Sequence, residues 1–136
     1  MPRLSLANLI SSKIRVPSAI RKANIVEVRT PAECFALFGQ NFAVIFKHSE
    51  ACAVSGYAYK IVSQFCSEEA SFKVHLLSVL DSRSASRFVE EQTGVCHKSP
   101  QVLAIRDGKL FADASHEAIT RSFLKMLHVA WNIAGR

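Results

Sequence analysis

Phe42-Ala43-Val44-Ile45-Phe46-Lys47-His48-Ser49-Glu50-Ala51-Cys52-Ala53-Val54-Ser55 is the stretch that decides the fold. Residues 42–46 are apolar without alternation, which is what a strand covered on both faces requires. Residues 47–52 then form a polar turn. Beyond it, Val54, Ala58, Ile61, Val62 and Phe65 recur at helical spacing, so an amphipathic helix is expected over residues 53–67. A doubly covered strand running into a helix is the opening of a crossover unit, and crossovers join parallel strands. Cys52 stands where the strand has ended and the helix begins.

Elements on either side extend the same logic. Upstream, Asn24-Ile25-Val26-Glu27-Val28-Arg29 is a short β-type run. It stops at Thr30-Pro31-Ala32-Glu33, where Thr as N-cap, Pro at the first helical position and Glu two residues further predict a capped helix. That helix carries Cys34, Phe35 and Leu37-Phe38, with Gly39 as its C-cap. Downstream, residues 72–79 read as a second β run. Asp81 or Ser82 is expected to cap a helix bearing Ala85, Phe88 and Val89 and ending at Gly94. Gln101-Val102-Leu103-Ala104-Ile105 is another strand, Asp107-Gly108 is a two-residue hairpin signal, and Lys109-Leu110-Phe111-Ala112 is the returning partner. Ser115 is expected to cap a last helix with Ile119, Phe123, Met126-Leu127 and Ala130-Trp131 on its apolar side, aided by a Glu117–Arg121 pair. The order is β-α-β-α-β-α-β-β-α, an α/β domain with a mixed sheet and helices on both faces.

The chain's 136 residues suit one domain, and 49% apolar with 21% charged residues is ordinary for a packed core. Its formal net charge of +6 suggests nucleic acid until the charges are located. Residues 1–24 contain Arg3, Lys13, Arg15, Arg21 and Lys22 and no acid, which leaves 12 of the 17 basic residues against 11 acidic ones elsewhere. The division is therefore a basic N-terminal extension, 1–24, and a nearly neutral domain, 25–136. The extension lacks the interleaved aromatics of a nucleic-acid groove. It reads as a solvated tail, with organelle targeting as the lesser alternative because it is Ser-rich and acid-free. No stretch is long and apolar enough for a membrane span, and Lys13 and Arg15 interrupt any signal-peptide core. With four cysteines and no secretory signal, free thiols in a reducing cytosol are expected.

Cys52 is the leading chemical candidate. Unpaired N–H groups and the positive end of the dipole at a helix N-terminus favour the thiolate, the nucleophilic form. Lys47 and His48 add positive potential upstream, and the Ser55 hydroxyl, one turn on, is placed to donate to the sulfur. Glu50 acts in the opposite sense, because a carboxylate disfavours a second negative charge. The plain alternative for Cys52 is a small apolar residue inside the fold. Ser99-Pro100 opens a strand, either as an ordinary strand-start proline or as a cis-proline facing Cys52 with the Ser99 backbone offered to a substrate. Cys96, four residues before Pro100, is a candidate resolving thiol for Cys52, against the plain reading of an exposed or packed thiol. Cys34 and Cys66 read as inert core thiols. His48, His97 and Cys52 match no zinc spacing, so no metal and no bound cofactor are expected. His116 reads as a residue of the last helix's first turn.

Four separated motifs, in order, resemble the monothiol bacilliredoxin family of YtxJ type. They are Phe46-Lys47-His48-Ser49, Cys52-x-x-Ser55, Gly94-Val95-x-His97-x-Ser99-Pro100-Gln101-Val102, and Ser115-His116-x-x-Ile119-Thr120. The resemblance covers roughly residues 25–127. It implies a thioredoxin-like fold and a monothiol disulfide reductase that removes a low-molecular-weight thiol, bacillithiol, from mixed disulfides on proteins. On that likeness Cys52 is the nucleophile, Ser55 replaces a resolving cysteine, and Pro100 is the cis-proline. Lys47, His48, His97 and Ser99 fall on the substrate side. The partners implied are thiol-modified proteins and the small thiol itself as co-substrate, acting on a monomer. The family segment Cys-Pro-Ile-Ser is Cys52-Ala53-Val54-Ser55 here, which restores a backbone N–H next to the sulfur. Two other functions fit the same chain: a redox-inactive thioredoxin-like binding module with its groove near Pro100, and a monothiol iron–sulfur cluster carrier.

Overall fold

A computed structural model describes residues 24–134. Among the described residues the strands are five, β1 (Ile25–Glu27), β2 (Phe42–His48), β3 (Val74–Ser78), β4 (Gln101–Arg106) and β5 (Lys109–Ser115). The α-helices among them are α1 (Pro31–Leu37), α2 (Ala53–Glu68), α3 (Arg83–Thr93) and α4 (Arg121–Ala134), with a 3-10 turn at His116–Ala118. The strands form one sheet in the order β1-β3-β2-β4-β5. The first three are parallel, as their crossover helices demand, while β4 runs antiparallel to β2 and β5 antiparallel to β4.

β2 lies at the centre and every one of its residues is buried. Its alternation builds two cores from one strand. Phe42, Val44 and Phe46 face α2 and α4, packing with Val62, Phe65, Phe72 and Leu127. Ala43 and Ile45 face α1 and α3, packing with Leu37, Leu77, Ala85 and Val89. The unbroken apolar run of residues 42–46 is thus explained by cover on both sides.

Local signals hold at several ends. Thr30 Oγ1 accepts from Glu33 N–H while Glu33 Oε1 accepts from Thr30 N–H, closing the capping box. Gly94 ends α3 at φ +73. Asp107 and Gly108 take φ +52 and +80, the double left-handed turn of a tight hairpin. Gly39 follows α1 without a left-handed turn; Phe38 is the cap and remains right-handed. Ser82 occupies the cap position of α3 without a side-chain cap bond.

The last helix differs from expectation. Ser115 does not cap it, because Ser115 is the final residue of β5, paired with Gln101. The chain turns a corner at His116, whose φ is +55, passes through the 3-10 turn, and starts α4 at Arg121. Thr120 Oγ1 accepts from Phe123 N–H at 3.1 Å and supplies the cap. Arg121 consequently pairs with Glu68 on α2, and the expected Glu117–Arg121 pair does not form. Among the described residues, no helix is long and apolar enough to cross a membrane.

Candidate functional site: a cysteine at a helix start facing a cis-proline loop

Cys52 occupies the N-cap position of α2 in extended conformation, φ −115 and ψ 123. Its carbonyl accepts from Gly56 N–H at 3.1 Å, starting the helix, and its N–H donates to Ser49 O at 3.2 Å, closing the turn from β2. The side chain makes no cap bond, is partly exposed and carries a free thiol. Cys52 thus stands at the N-terminus of a sixteen-residue helix, the positive end of its dipole, and the first turn holds no acidic residue. Glu50 is exposed, and its Oε1 accepts from Ser78 Oγ at 3.2 Å on the β3 side.

Ser55 is fully buried. Its Oγ accepts from Ser49 N–H at 3.1 Å and lies 3.3 Å from Ser99 Oγ. The hydroxyl therefore braces the turn that carries Cys52 and ties α2 to the loop before β4. The Ser99–Pro100 peptide in that loop is cis, and Pro100 is buried. Pro100 O accepts from His116 N–H at 3.1 Å, drawing the corner after β5 to the same edge. Cys52, Ser55, Ser99 and Pro100, far apart in sequence, meet at the C-terminal edge of the parallel strands, where α/β sheets place their sites.

Lys47 and His48 leave β2 on opposite faces. Lys47 is fully buried toward α3, where its Nζ donates to Ser86 O at 3.1 Å and lies 3.3 Å from His97 Nδ1. Burial lowers its pKa, opposed by Glu90. Ser86 Oγ also lies 3.2 Å from His97 Nδ1. A lysine ammonium only donates, so Nδ1 is an acceptor and the ring's proton sits on Nε2. Burial and the neighbouring Lys47 both lower the pKa of His97, consistent with a neutral ring. His48 is buried toward α2, its ring 5.2 Å from that of Tyr59 and 5.7 Å from that of Phe46. Its Nδ1 has no hydrogen-bond partner, and burial lowers its pKa.

All four cysteines are free thiols. Burial raises Cys34 to about 11 and Cys66 to about 12, which keeps both as thiols at neutral pH. Cys96 is exposed in the loop leading to Ser99-Pro100. Gln101, fully buried, holds that loop: its Nε2 donates to Cys96 O at 3.1 Å, and its Oε1 lies 3.4 Å from Lys98 N. Sequence reading missed this role, although a glutamine opening an otherwise apolar strand was the available signal. Ser49 entered only as the last residue of the Phe46-Lys47-His48-Ser49 motif, with no role attached, and nothing in the spacing of Ser86 marked it. Among the described residues, no three His, Cys, Asp or Glu side chains converge as metal ligands.

Known structures share this architecture. One, described as having a thioredoxin fold, superposes with a TM-score of 0.73 at 23% identity, covering 79% of this chain and 96% of that one. Mitochondrial thioredoxin 3 from Saccharomyces cerevisiae, in its oxidized form, gives 0.60 at 14% identity over 78% and 94%. A mutant thioredoxin from Halobacterium salinarum gives 0.61 at 9% identity over 79% and 91%. At such identities the likeness establishes a thioredoxin fold. The family model for monothiol bacilliredoxin BrxC matches residues 24–124, a span that contains the Cys52 turn, the Ser99–Pro100 loop and the corner at His116. With that match over most of its length, the chain belongs to the monothiol bacilliredoxin family.

Proposed function

We propose that this protein uses Cys52 to take a low-molecular-weight thiol, bacillithiol by family likeness, from mixed disulfides on other proteins. Membership of the family and the fold support a thiol–disulfide redox role. The observation that carries the reading is Cys52 itself: a free, partly exposed sulfur at the start of a long helix, beside a cis-proline loop. The Cys52 thiolate attacks the small thiol's sulfur in a protein–S–S–R disulfide. A bond forms between Cys52 Sγ and that sulfur, the S–S bond to the substrate protein's sulfur breaks, and the released protein thiolate takes a proton from water. Cys52 is left as the mixed disulfide. A second small thiol then attacks the small thiol's sulfur, releasing the Cys52 thiolate and a symmetrical small-thiol disulfide, or Cys96 attacks Cys52 Sγ and expels the small thiol, leaving a Cys52–Cys96 disulfide that a cellular dithiol reduces.

Ser55 and Ser99 hold the Cys52 turn and the proline loop together, and Ser99 offers backbone to the substrate protein. The reading needs no resident cofactor: the small thiol is a co-substrate, the protein acts as a monomer, and the setting is a reducing cytoplasm. An open groove of about 790 Å³ between α2 and the corner before α4, lined by Val54, Tyr57 and His116 among others, starts two residues past Cys52 and gives the substrate protein room along α2.

Turnover of a carrier protein bearing a small-thiol adduct tests the roles. Cys52→Ser abolishes transfer. Cys96→Ser slows the second step if Cys96 resolves and leaves it unchanged if a second small thiol does. Transfer that persists in Cys52→Ser would sink the assignment.

A further inference from the structure

Lys47, His97 and Ser86 belong to a second feature beside the Cys52 turn. A polar cleft of about 300 Å³ opens between the end of β3, the first turns of α3 and the loop before Pro100. It is lined by Val79, Leu80, Arg83, Ser86, Arg87, Glu90 and His97. Arg83 and Arg87 are one helical turn apart, both are exposed, and neither pairs with a carboxylate among the described residues. The single acid of the cleft, Glu90, is engaged, since its Oε2 accepts from His97 N–H at 3.0 Å. Behind the wall, fully buried Lys47 touches both Ser86 and His97 and fixes the imidazole with its proton on Nε2.

Two free guanidiniums, an imidazole fixed with an N–H and one occupied carboxylate make a cationic concavity. Guanidiniums bind oxyanions in forked pairs. The cleft also belongs to the same sheet edge as the sulfur. Val79 N–H donates to His48 O at 3.0 Å, and Ser78 Oγ to Glu50, so one wall adjoins the turn that ends at Cys52. The other wall, at His97, runs into Ser99-Pro100. Lys47 and Cys52 are five residues apart, at most about 18 Å of extended chain.

We infer that the Arg83–Arg87–His97 cleft is an oxyanion site that receives the carboxylate end of the small thiol while its sulfur is at Cys52. This rests on the reading of Cys52 given above and adds to it the chemistry of the thiol: it carries at least one carboxylate remote from sulfur. Lys47 is a positioning residue that sets the His97 tautomer.

Two experiments on the whole chain test it, one of which needs no turnover. Amide chemical shifts are followed as succinate, and separately inorganic phosphate, is added to wild type and to the Arg83→Ala/Arg87→Ala double variant. Saturable shifts at Arg83, Ser86 and His97 are expected, with binding roughly tenfold weaker in the variant. Succinate stronger than phosphate supports a carboxylate; phosphate alone, or no saturable shift, overturns the inference. In parallel, a carrier protein is loaded with glutathione, which bears carboxylates, or with cysteamine, which bears none. The double variant is expected to raise KM roughly tenfold for the glutathione adduct and to leave the cysteamine adduct unchanged. Equal effects on both adducts, or none, would break the link between cleft and thiol even if succinate binds. Failure of wild type to exchange either adduct would remove the Cys52 reading, and the titration would still decide whether the cleft binds anions.

Discussion

At the scale of single residues, position decides which cysteines a reagent can reach. Cys34 and Cys66 lie within the two cores, and burial holds them at about 11 and 12. Cys52 is partly exposed and Cys96 exposed. Iodoacetamide at neutral pH is therefore expected to label Cys52 and Cys96 in the native protein and to reach Cys34 and Cys66 only in denaturant, read by peptide mapping. Native labelling of Cys66 at a rate like that of Cys52 would contradict the packing. His75 makes a different prediction. Burial, with help from Lys73, lowers its pKa to about 4 from an ordinary 6.5, and its Nδ1 is unpartnered. Above pH 6.5 the ring is neutral in both states. Between 6.5 and 4 the unfolded chain takes a proton that the folded one refuses, so stability falls as pH falls through that window. In His75→Leu the fall in urea midpoint from pH 6.5 to 4 is expected to be smaller than in wild type; an identical fall would show that His75 does not contribute. The position of Cys52 at the start of α2 was legible in the sequence, because strand, turn and helix are all local patterns. The burial of Lys47 and its contact with His97, fifty residues away, were not, because no local pattern encodes a long-range contact.

At the scale of elements, the strands and the first three helices followed from periodicity and cap chemistry. The start of α4 did not. Ser115-His116-Glu117-Ala118 has the composition of a capped helix start, yet the backbone of Ser115 is committed to the ladder with Gln101. A residue in a strand cannot also begin a helix, so the start moved to the next hydroxyl that was free, Thr120. Removing it tests this: Thr120→Ala is expected to cost about 1 kcal/mol, the usual worth of an N-cap. Thermal or urea unfolding reads the change, and a neutral substitution would mean that the cap bond does not hold the helix. The Arg121–Glu68 pair that results from this start is exposed on both sides, and exposed pairs contribute little, about 0.2–1 kcal/mol.

At the scale of the whole molecule, one central strand organises both stability and chemistry. β2 supplies Phe42, Val44 and Phe46 to one core and Ala43 and Ile45 to the other, then delivers the chain to the edge where Cys52 begins α2. The antiparallel hairpin of β4 and β5 brings the Ser99–Pro100 loop to that edge, and Ser55 and Ser99 link the two. Class and element order were readable from sequence. The strand order, with β2 between β3 and β4, was not, since pairing across a sheet depends on which faces find cover.

Whether Cys52 accepts a small thiol from another protein can be read directly by mass. The most direct measurement is intact-mass analysis with peptide mapping after mixing the reduced protein with a carrier bearing a bacillithiol mixed disulfide, and in parallel a glutathione one. The carrier is expected to lose the adduct while the Cys52 peptide gains it. A folded protein that leaves both carriers unchanged, with Cys52 unmodified, would contradict the transfer role and favour a redox-inactive binding module.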